Sequence, residues 1–292
     1  MMKVAVVGPG ALGCLFAARL VQGGVKTHLV DYDLKRAERL SKSGITVERQ
    51  EESVTVHPTI ATKIPAGQDL ILVLTKSHST GDLKLPPESP VLTLQNGLGN
   101  VEMLCALVGS ARVLAGTTAE AATLLGEGRT RHVAAGITRL GSWTSCATGA
   151  AREALAVAGF EVAVTESPGQ LLWEKLAISA AINPLTAILN VNNGQLLHNK
   201  ETRQLMRDLV VEAVKVAATE GYRFEHSLVE IAESMCEATS ENVSSMLQDI
   251  RAGKRTEIEA ISGEVLRRAQ IASLPTPRTR VIYQLVRGLE RR

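Results

Sequence analysis

A glycine loop caught between a strand and a helix limits the folds open to this chain. Gly8-Pro9-Gly10-Ala11-Leu12-Gly13 follows the apolar run Val4 to Val7. It opens the segment Ala11 to Gln22, whose apolar residues 12, 15, 16 and 20 recur at helical spacing. A second apolar run, Thr27 to Val30, closes a β-α-β unit of about 30 residues. In that setting Gly8 permits a tight turn, Gly10 lets backbone approach a pyrophosphate, and Gly13 lets the helix pack on the strand. The helix N-terminus adds amides and a partial positive charge. The loop reads as a dinucleotide-binding fingerprint, with a glycine-rich turn that holds no ligand as the alternative.

Two further apolar runs, Leu70 to Leu74 and Val91 to Leu94, are continuous enough for strands buried on both faces of a parallel sheet. Gly126-Glu127-Gly128 is a turn signal between strand-like segments, which predicts an antiparallel hairpin at the sheet edge within 112–141. A helix over 150–158 and a strand over 160–164 complete this half. Ser167-Pro168 has the form of an N-cap followed by proline at the first helical position. Beyond it the pattern is almost all helix, over 168–190, 201–219, 225–237, 240–252, 256–270 and 277–290, with Pro184 expected to kink or break the first. The expectation is an α/β chain: a Rossmann-like, mostly parallel dinucleotide-binding domain over 1–166 and an all-helical substrate and catalytic domain over 167–292.

Composition narrows the function classes. Thirty-two basic against thirty acidic residues among 292, with eight aromatics, argue against a nucleic-acid partner. The cysteines Cys14, Cys105, Cys146 and Cys236 lie far apart and form no CxxC pair, so neither a disulfide framework nor a metal site is indicated. No apolar run reaches membrane-spanning length, and Val4 to Val7 is too short for a signal peptide. A cytoplasmic protein is the expectation, and long apolar helices in the second half leave room for a homodimer.

Several side chains stand where ligands bind in open α/β sheets. Asp31 ends the second strand eighteen residues past Gly13. A carboxylate there would accept hydrogen bonds from a ribose diol and repel a 2′-phosphate, favouring NAD over NADP. Lys35 and Arg36 are near enough to reach a phosphate, or form a solvated helix face. Lys76 and Asn96-Gly97 follow the next two strands at their carboxyl ends; a surface lysine and a generic turn are the alternatives. In the apolar helix Gln170 to Asn190, the polar residues Lys175, Ser179 and Asn183 recur at i, i+4 and i+8. Lysine is rarely buried without a partner, so the stripe suggests a ligand-facing wall or, failing that, a narrow solvent-facing strip. Ser240 suits a helix cap, whereas Ser244 and Ser245 exceed capping needs. Glu257 opens a helix after a basic run, a favourable place for an acid on any account.

The segments Gly8 to Gly13, Gln95-Asn-Gly-Leu-Gly99, Leu172-Trp-Glu-Lys-Leu176, Ile182-Asn-Pro-Leu-Thr-Ala187 and Glu241 to Ile250 with Thr256-Glu-Ile258 together resemble the ketopantoate reductase family. The resemblance runs from residue 3 to about 285 in consistent order. It implies a Rossmann domain that binds NADPH, a helical domain that covers it, and a 2-keto acid, ketopantoate, in the cleft between. By position, Lys175 matches the family's general acid. Asn96 matches an asparagine touching cofactor and substrate, and Lys76 and Ala122 match cofactor contacts. Asn183, Asn193 and Ser245 match substrate contacts, and Glu257 matches a glutamate at the cofactor end of the cleft. Ser179 stands where the family has an asparagine, and Asp31-Tyr32 where it often has an arginine for the 2′-phosphate. The resemblance thus implies reduction of ketopantoate to pantoate in pantothenate and coenzyme A synthesis. A related reductase of another 2-keto acid and a non-catalytic dinucleotide-binding sensor are the alternatives.

Overall fold

The computed structural model describes residues 1–290, which divide into two compact units. One comprises Met1–Gln95 and Asn100–Gly169; the other comprises Asn96–Gly99 and Gln170 onward. The chain therefore lends four residues to the second unit before returning to the first.

The first unit is built on an eight-stranded sheet. Its strands are β1 (Lys3–Val7), β2 (Lys26–Val30), β5 (Thr59–Ala61), β6 (Leu70–Val73), β7 (Val91–Thr93), β8 (Val113–Thr118), β11 (Thr138–Ser142) and β12 (Val162–Val164), with β3 (Ile45–Arg49), β4 (Glu52–Val56), β9 (Ala121–Gly126) and β10 (Arg129–Ala134) elsewhere. The order is β12-β11-β8-β7-β6-β1-β2-β5, parallel throughout except where β11 runs antiparallel to β8. Val4 to Val7 and Leu70 to Val73 are fully buried, as expected of central parallel strands covered on both faces. Helices α1 (Ala11–Gln22), α2 (Leu34–Ser43), α3 (Asn100–Val108) and α4 (Gly149–Val157) complete the unit. Phe16 of α1 stacks on Phe160, ring centroids 4.2 Å apart, within the apolar core.

The hairpin around Gly126–Gly128 forms, but not at the edge of the main sheet. It is β9–β10, and β10 pairs in parallel with β3 to make a separate sheet of order β4-β3-β10-β9. The antiparallel pairing within the main sheet belongs to β8 and β11 instead.

The second unit is helical: α5 (Pro168–Leu189) enters it, followed by α6 (Lys200–Thr219), α7 (Leu228–Ala238), α8 (Ser245–Arg251), α9 (Glu264–Ile271) and α10 (Pro277–Leu289). Helix α5 runs through Pro184 rather than ending there. An interior proline costs about 3 kcal/mol, and burial of Leu185 and Ala187 in the residues after it offsets that cost. Glu220, just past α6, accepts from Trp173 Nε1 of α5 at 3.1 Å and pairs with Arg268 of α9 at 2.8 Å. Buried Glu212 accepts from the amides of Arg278 (3.0 Å) and Thr279 (2.8 Å), capping the first turn of α10. Among the described residues, no helix is long and apolar enough to cross a membrane.

Candidate active site

In the first unit the glycine loop is shaped by backbone crowding. Gly8 has φ +104°, and a Cβ placed on Gly13 would lie 1.8 Å from the Gly8 carbonyl oxygen, so neither position accepts a side chain. A Cβ on Gly10 would meet nothing within 4 Å. That contrast is what a dinucleotide site needs: glycines that close the turn on one side and open space over the helix N-terminus on the other. Pro9, Ala11 and Leu12 line the same loop, half-buried.

Asp31 follows β2 and is 1% exposed. Its Oδ1 accepts from the Asp33 amide (3.0 Å) and Arg36 Nη2 (2.7 Å), and its Oδ2 from Arg36 Nε (2.5 Å). The carboxylate is thus gripped by a two-pronged guanidinium from the first turn of α2, while Arg36 itself remains partly exposed. Lys76 follows β6, half-buried, in a loop tied down by Gln95. The Gln95 amide nitrogen donates to the Thr75 carbonyl at 2.9 Å and to Thr80 Oγ1 at 2.8 Å. Gln95 opens the Gln95–Gly99 motif, but as an amide at the end of an apolar run it carried no role of its own. Ala122 lies on β9 opposite His132, whose ring is 2.6 Å from buried Glu120.

In the second unit the polar stripe of α5 is real. Lys175, Ser179 and Asn183 are half-buried amid buried Leu176, Ala180 and Ile182. Burial pushes the Lys175 ammonium down to about 8, partly opposed by the carboxylate of Glu257. Glu257, itself buried, accepts from Asn96 Nδ2 at 3.4 Å. Residues 96, 175 and 257 therefore share one electrostatic neighbourhood. The Asn96 loop is anchored by the Leu98 amide, which donates to the Ala260 carbonyl at 2.8 Å.

Ser179 Oγ donates to the Leu176 carbonyl at 3.1 Å, which occupies its only hydrogen within its own helix. Asn193 is buried; its Nδ2 donates to Thr239 Oγ1 at 2.9 Å, and its Oδ1 has no partner among the described residues. The cap of α8 is Ser244, not Ser240: its Oγ accepts from the Leu247 amide at 3.2 Å. Ser245 becomes the first helical residue and is exposed. Thr186 Oγ1 of α5 lies 2.6 Å from Ser244 Oγ, joining the stripe's helix to that cap. Thr186 lies within the Ile182–Ala187 motif, but a buried threonine in an apolar helix carries no signal of its own role.

A mostly parallel sheet with a glycine loop at its β1–α1 turn, and a helical unit that desolvates a lysine beside a glutamate, are the features of a dinucleotide-dependent oxidoreductase. The family description "Ketopantoate reductase PanE/ApbA" matches residues 4–145, and "Ketopantoate reductase PanE/ApbA C terminal" matches 169–290. A 2-dehydropantoate 2-reductase of Halobacterium salinarum is 34% identical, over 99% of both chains. A PanE/ApbA family ketopantoate reductase from Ralstonia eutropha JMP134 superposes with a TM-score of 0.90 at 29% identity, over 99% of both chains. A D-mandelate dehydrogenase solved with NADH and anilino(oxo)acetate shares the fold at TM-score 0.91 and 24% identity, over 99% of both chains. The chain belongs to the ketopantoate reductase family.

Proposed function

We propose that this chain reduces 2-dehydropantoate to pantoate with NADPH or NADH, using Lys175 as general acid. The observation that carries the proposal is Lys175 itself, desolvated in mid-helix and facing the buried Glu257 carboxylate that Asn96 also contacts. The glycine loop, with its open space over Gly10, fits the dinucleotide pyrophosphate. When bound, the reduced nicotinamide supplies a hydride to the keto carbon.

The chain's own residues do the rest. As an ammonium, Lys175 donates a hydrogen bond to the keto oxygen and passes a proton to the developing alkoxide. A value near 8 keeps it mostly protonated at neutral pH yet acidic enough to release the proton. Glu257 stabilises the ammonium between turnovers. Asn96 and Asn183 supply uncharged amides for the substrate, and Asn193 joins them by its place in the family pattern, its Nδ2 given to Thr239 and its Oδ1 buried. Ser245 offers an exposed hydroxyl. Ser179, its hydrogen used within α5, is left as an acceptor only, which supports a second reading in which the same reaction acts on another 2-keto acid. Ketopantoate assayed beside smaller and aromatic 2-keto acids distinguishes the two.

Lys175→Ala is expected to lower kcat by about 10²–10⁴-fold, the range of a lost general acid, with dinucleotide affinity nearly unchanged. Turnover at the wild-type rate would remove Lys175 from the reaction.

The cofactor preference turns on Asp31. Its oxygens are taken by Arg36 and the Asp33 amide, so its charge is neutralised where a ribose 2′-position is expected. The outer edge of the Arg36 guanidinium remains available to a phosphate, which favours NADPH; Lys76 and Ala122 complete the cofactor-facing set. Arg36→Gln should weaken NADPH binding about 10–100-fold, the loss of a charged hydrogen bond, while NADH affinity moves far less. Titration of the free protein with each nucleotide, read by nicotinamide fluorescence, checks this directly.

A further inference from the structure

The short segment carrying Glu257 is held in an unusual way. Thr256, immediately before it, is fixed by Glu290: the Thr256 amide and Oγ1 both donate to Glu290 Oε1 at 2.7 Å. Two residues after it, Glu259 accepts from Tyr283 Oη at 2.8 Å and is ion-paired with Arg287. Arg287 also lies 3.2 Å from Glu290 Oε2. Tyr283 and Arg287 belong to α10, and Glu290 follows its last residue. One helix end thus clamps the chain on both sides of Glu257.

Between the clamps and α9, residues Glu259–Gly263 form a π turn. The Gly263 amide reaches back five residues to the Ile258 carbonyl (2.9 Å), and the Glu264 amide donates to Ile261. An unbroken α-helix would send the Glu264 amide to the Ala260 carbonyl. The widened turn leaves that carbonyl to the Leu98 amide instead. Contact is so close that a Cβ on Gly97 would sit 2.3 Å from the Ala260 oxygen. The same turn therefore sets the placement of Glu257 on one side and of the Asn96 loop on the other.

We propose that Tyr283, Arg287 and Glu290 are positioning residues for the reaction: by clamping Thr256 and Glu259 they hold the π turn, and through it Glu257 and Asn96. This rests on the reading of Lys175 as proton donor. The charge acting on Lys175 is that of Glu257; Asn96, which meets the same carboxylate from its loop, is uncharged. An opposite charge favours the ammonium. Displacing Glu257 therefore makes Lys175 lose its proton at lower pH, and the falling limb of the pH–rate profile should move to lower pH.

The experiment compares pH profiles of kcat/KM for wild type, Glu257→Gln, Tyr283→Phe, Glu290→Ala and Glu290→Gln, with thermal midpoints measured alongside. Glu257→Gln gives the reference shift. Glu290→Ala is expected to move the limb the same way, by about half a pH unit or more, and to lower kcat about 10-fold, since misplacement by an ångström can cost about 100-fold. Glu290→Gln, which keeps an acceptor for Thr256, should recover much of both. Tyr283→Phe loses a single oxygen and serves if Glu290→Ala does not fold. A lowered thermal midpoint with limb and kcat in place would overturn the inference, because a purely structural clamp would behave so. Wild-type turnover in Lys175→Ala would instead sink the reading beneath it.

Discussion

In the sheet unit, the loop that fits a dinucleotide spans six consecutive residues, Gly8 to Gly13, and works through backbone. In the helical unit, Asn96 and Glu257 meet across 161 positions, and Lys175 responds to that carboxylate from a third segment. The first arrangement is local geometry: strand, tight turn and helix N-terminus bring the amides together whatever the surface residues are. The second is assembled from side chains whose charge and desolvation matter more than their sequence neighbours. Phosphates are met well by fixed amides, whereas proton transfer requires a titratable group tuned by burial and by an opposing charge.

The sharpest way to break this contrast is Gly13→Ala. With its Cβ 1.8 Å from the Gly8 oxygen, the loop must open or the helix must shift. A loss of about 3 kcal/mol, the upper range for overpacking, is expected, with dinucleotide binding abolished in a fluorescence titration. Retained binding would mean that the backbone arrangement is not what holds the cofactor. Next in size is Gly97→Ala, where φ is +84° and the added carbon meets the Ala260 carbonyl at 2.3 Å. It should lower kcat/KM about 10–100-fold by displacing Asn96; steady-state kinetics with ketopantoate would read it, and an unchanged value would separate the loop from catalysis.

The smallest effect sharpens the comparison by leaving both sites alone. Glu233 of α7 is held by Arg203 and Arg207, with Nε contacts of 2.8 and 2.6 Å, and these guanidinium groups bring its carboxyl down to about 2 from the ordinary 4.5. A depressed carboxyl stabilises the fold above its unfolded value and loses that contribution as pH falls through its folded one. Glu233→Gln should therefore lower the thermal midpoint modestly at pH 7. The gap to wild type should shrink below pH 4.5 and close near pH 2. A gap that persists in acid would assign the effect to packing instead of charge.

The β-α-β unit, the central strands and helix α1 were legible because apolar spacing over a dozen residues reports backbone form directly. The stripe of α5 was legible for the same reason, as was a resemblance carried by short motifs in a consistent order. The small sheet was only partly so. Its β3 and β4 are five residues each, and the alternations Ile45/Val47 and Val54/Val56 are too brief to separate a strand from a loop. The β9–β10 hairpin was visible from its turn, yet its partner β3 lies some eighty positions away, and turn chemistry says nothing about which sheet a hairpin joins.

What this sequence determined by itself was the identity and periodicity of its elements: a glycine loop that admits no side chain at two positions, and a lysine in line with two polar residues on an apolar helix. Only the tertiary structure decided that Arg36 would hold Asp31, that α5 would continue through Pro184, and that Ala260 would hold the Asn96 loop. The last two depend on packing against other segments, whereas the Asp31–Arg36 pair, five residues apart, is a local choice that the residue pattern left open. Burial offsets a proline's local cost, a neighbouring guanidinium changes what a carboxylate offers, and one widened turn redirects a carbonyl to a distant amide. Periodicity encodes the backbone's short-range preferences, whereas desolvation and freed hydrogen-bonding groups acquire their values when distant segments are packed together.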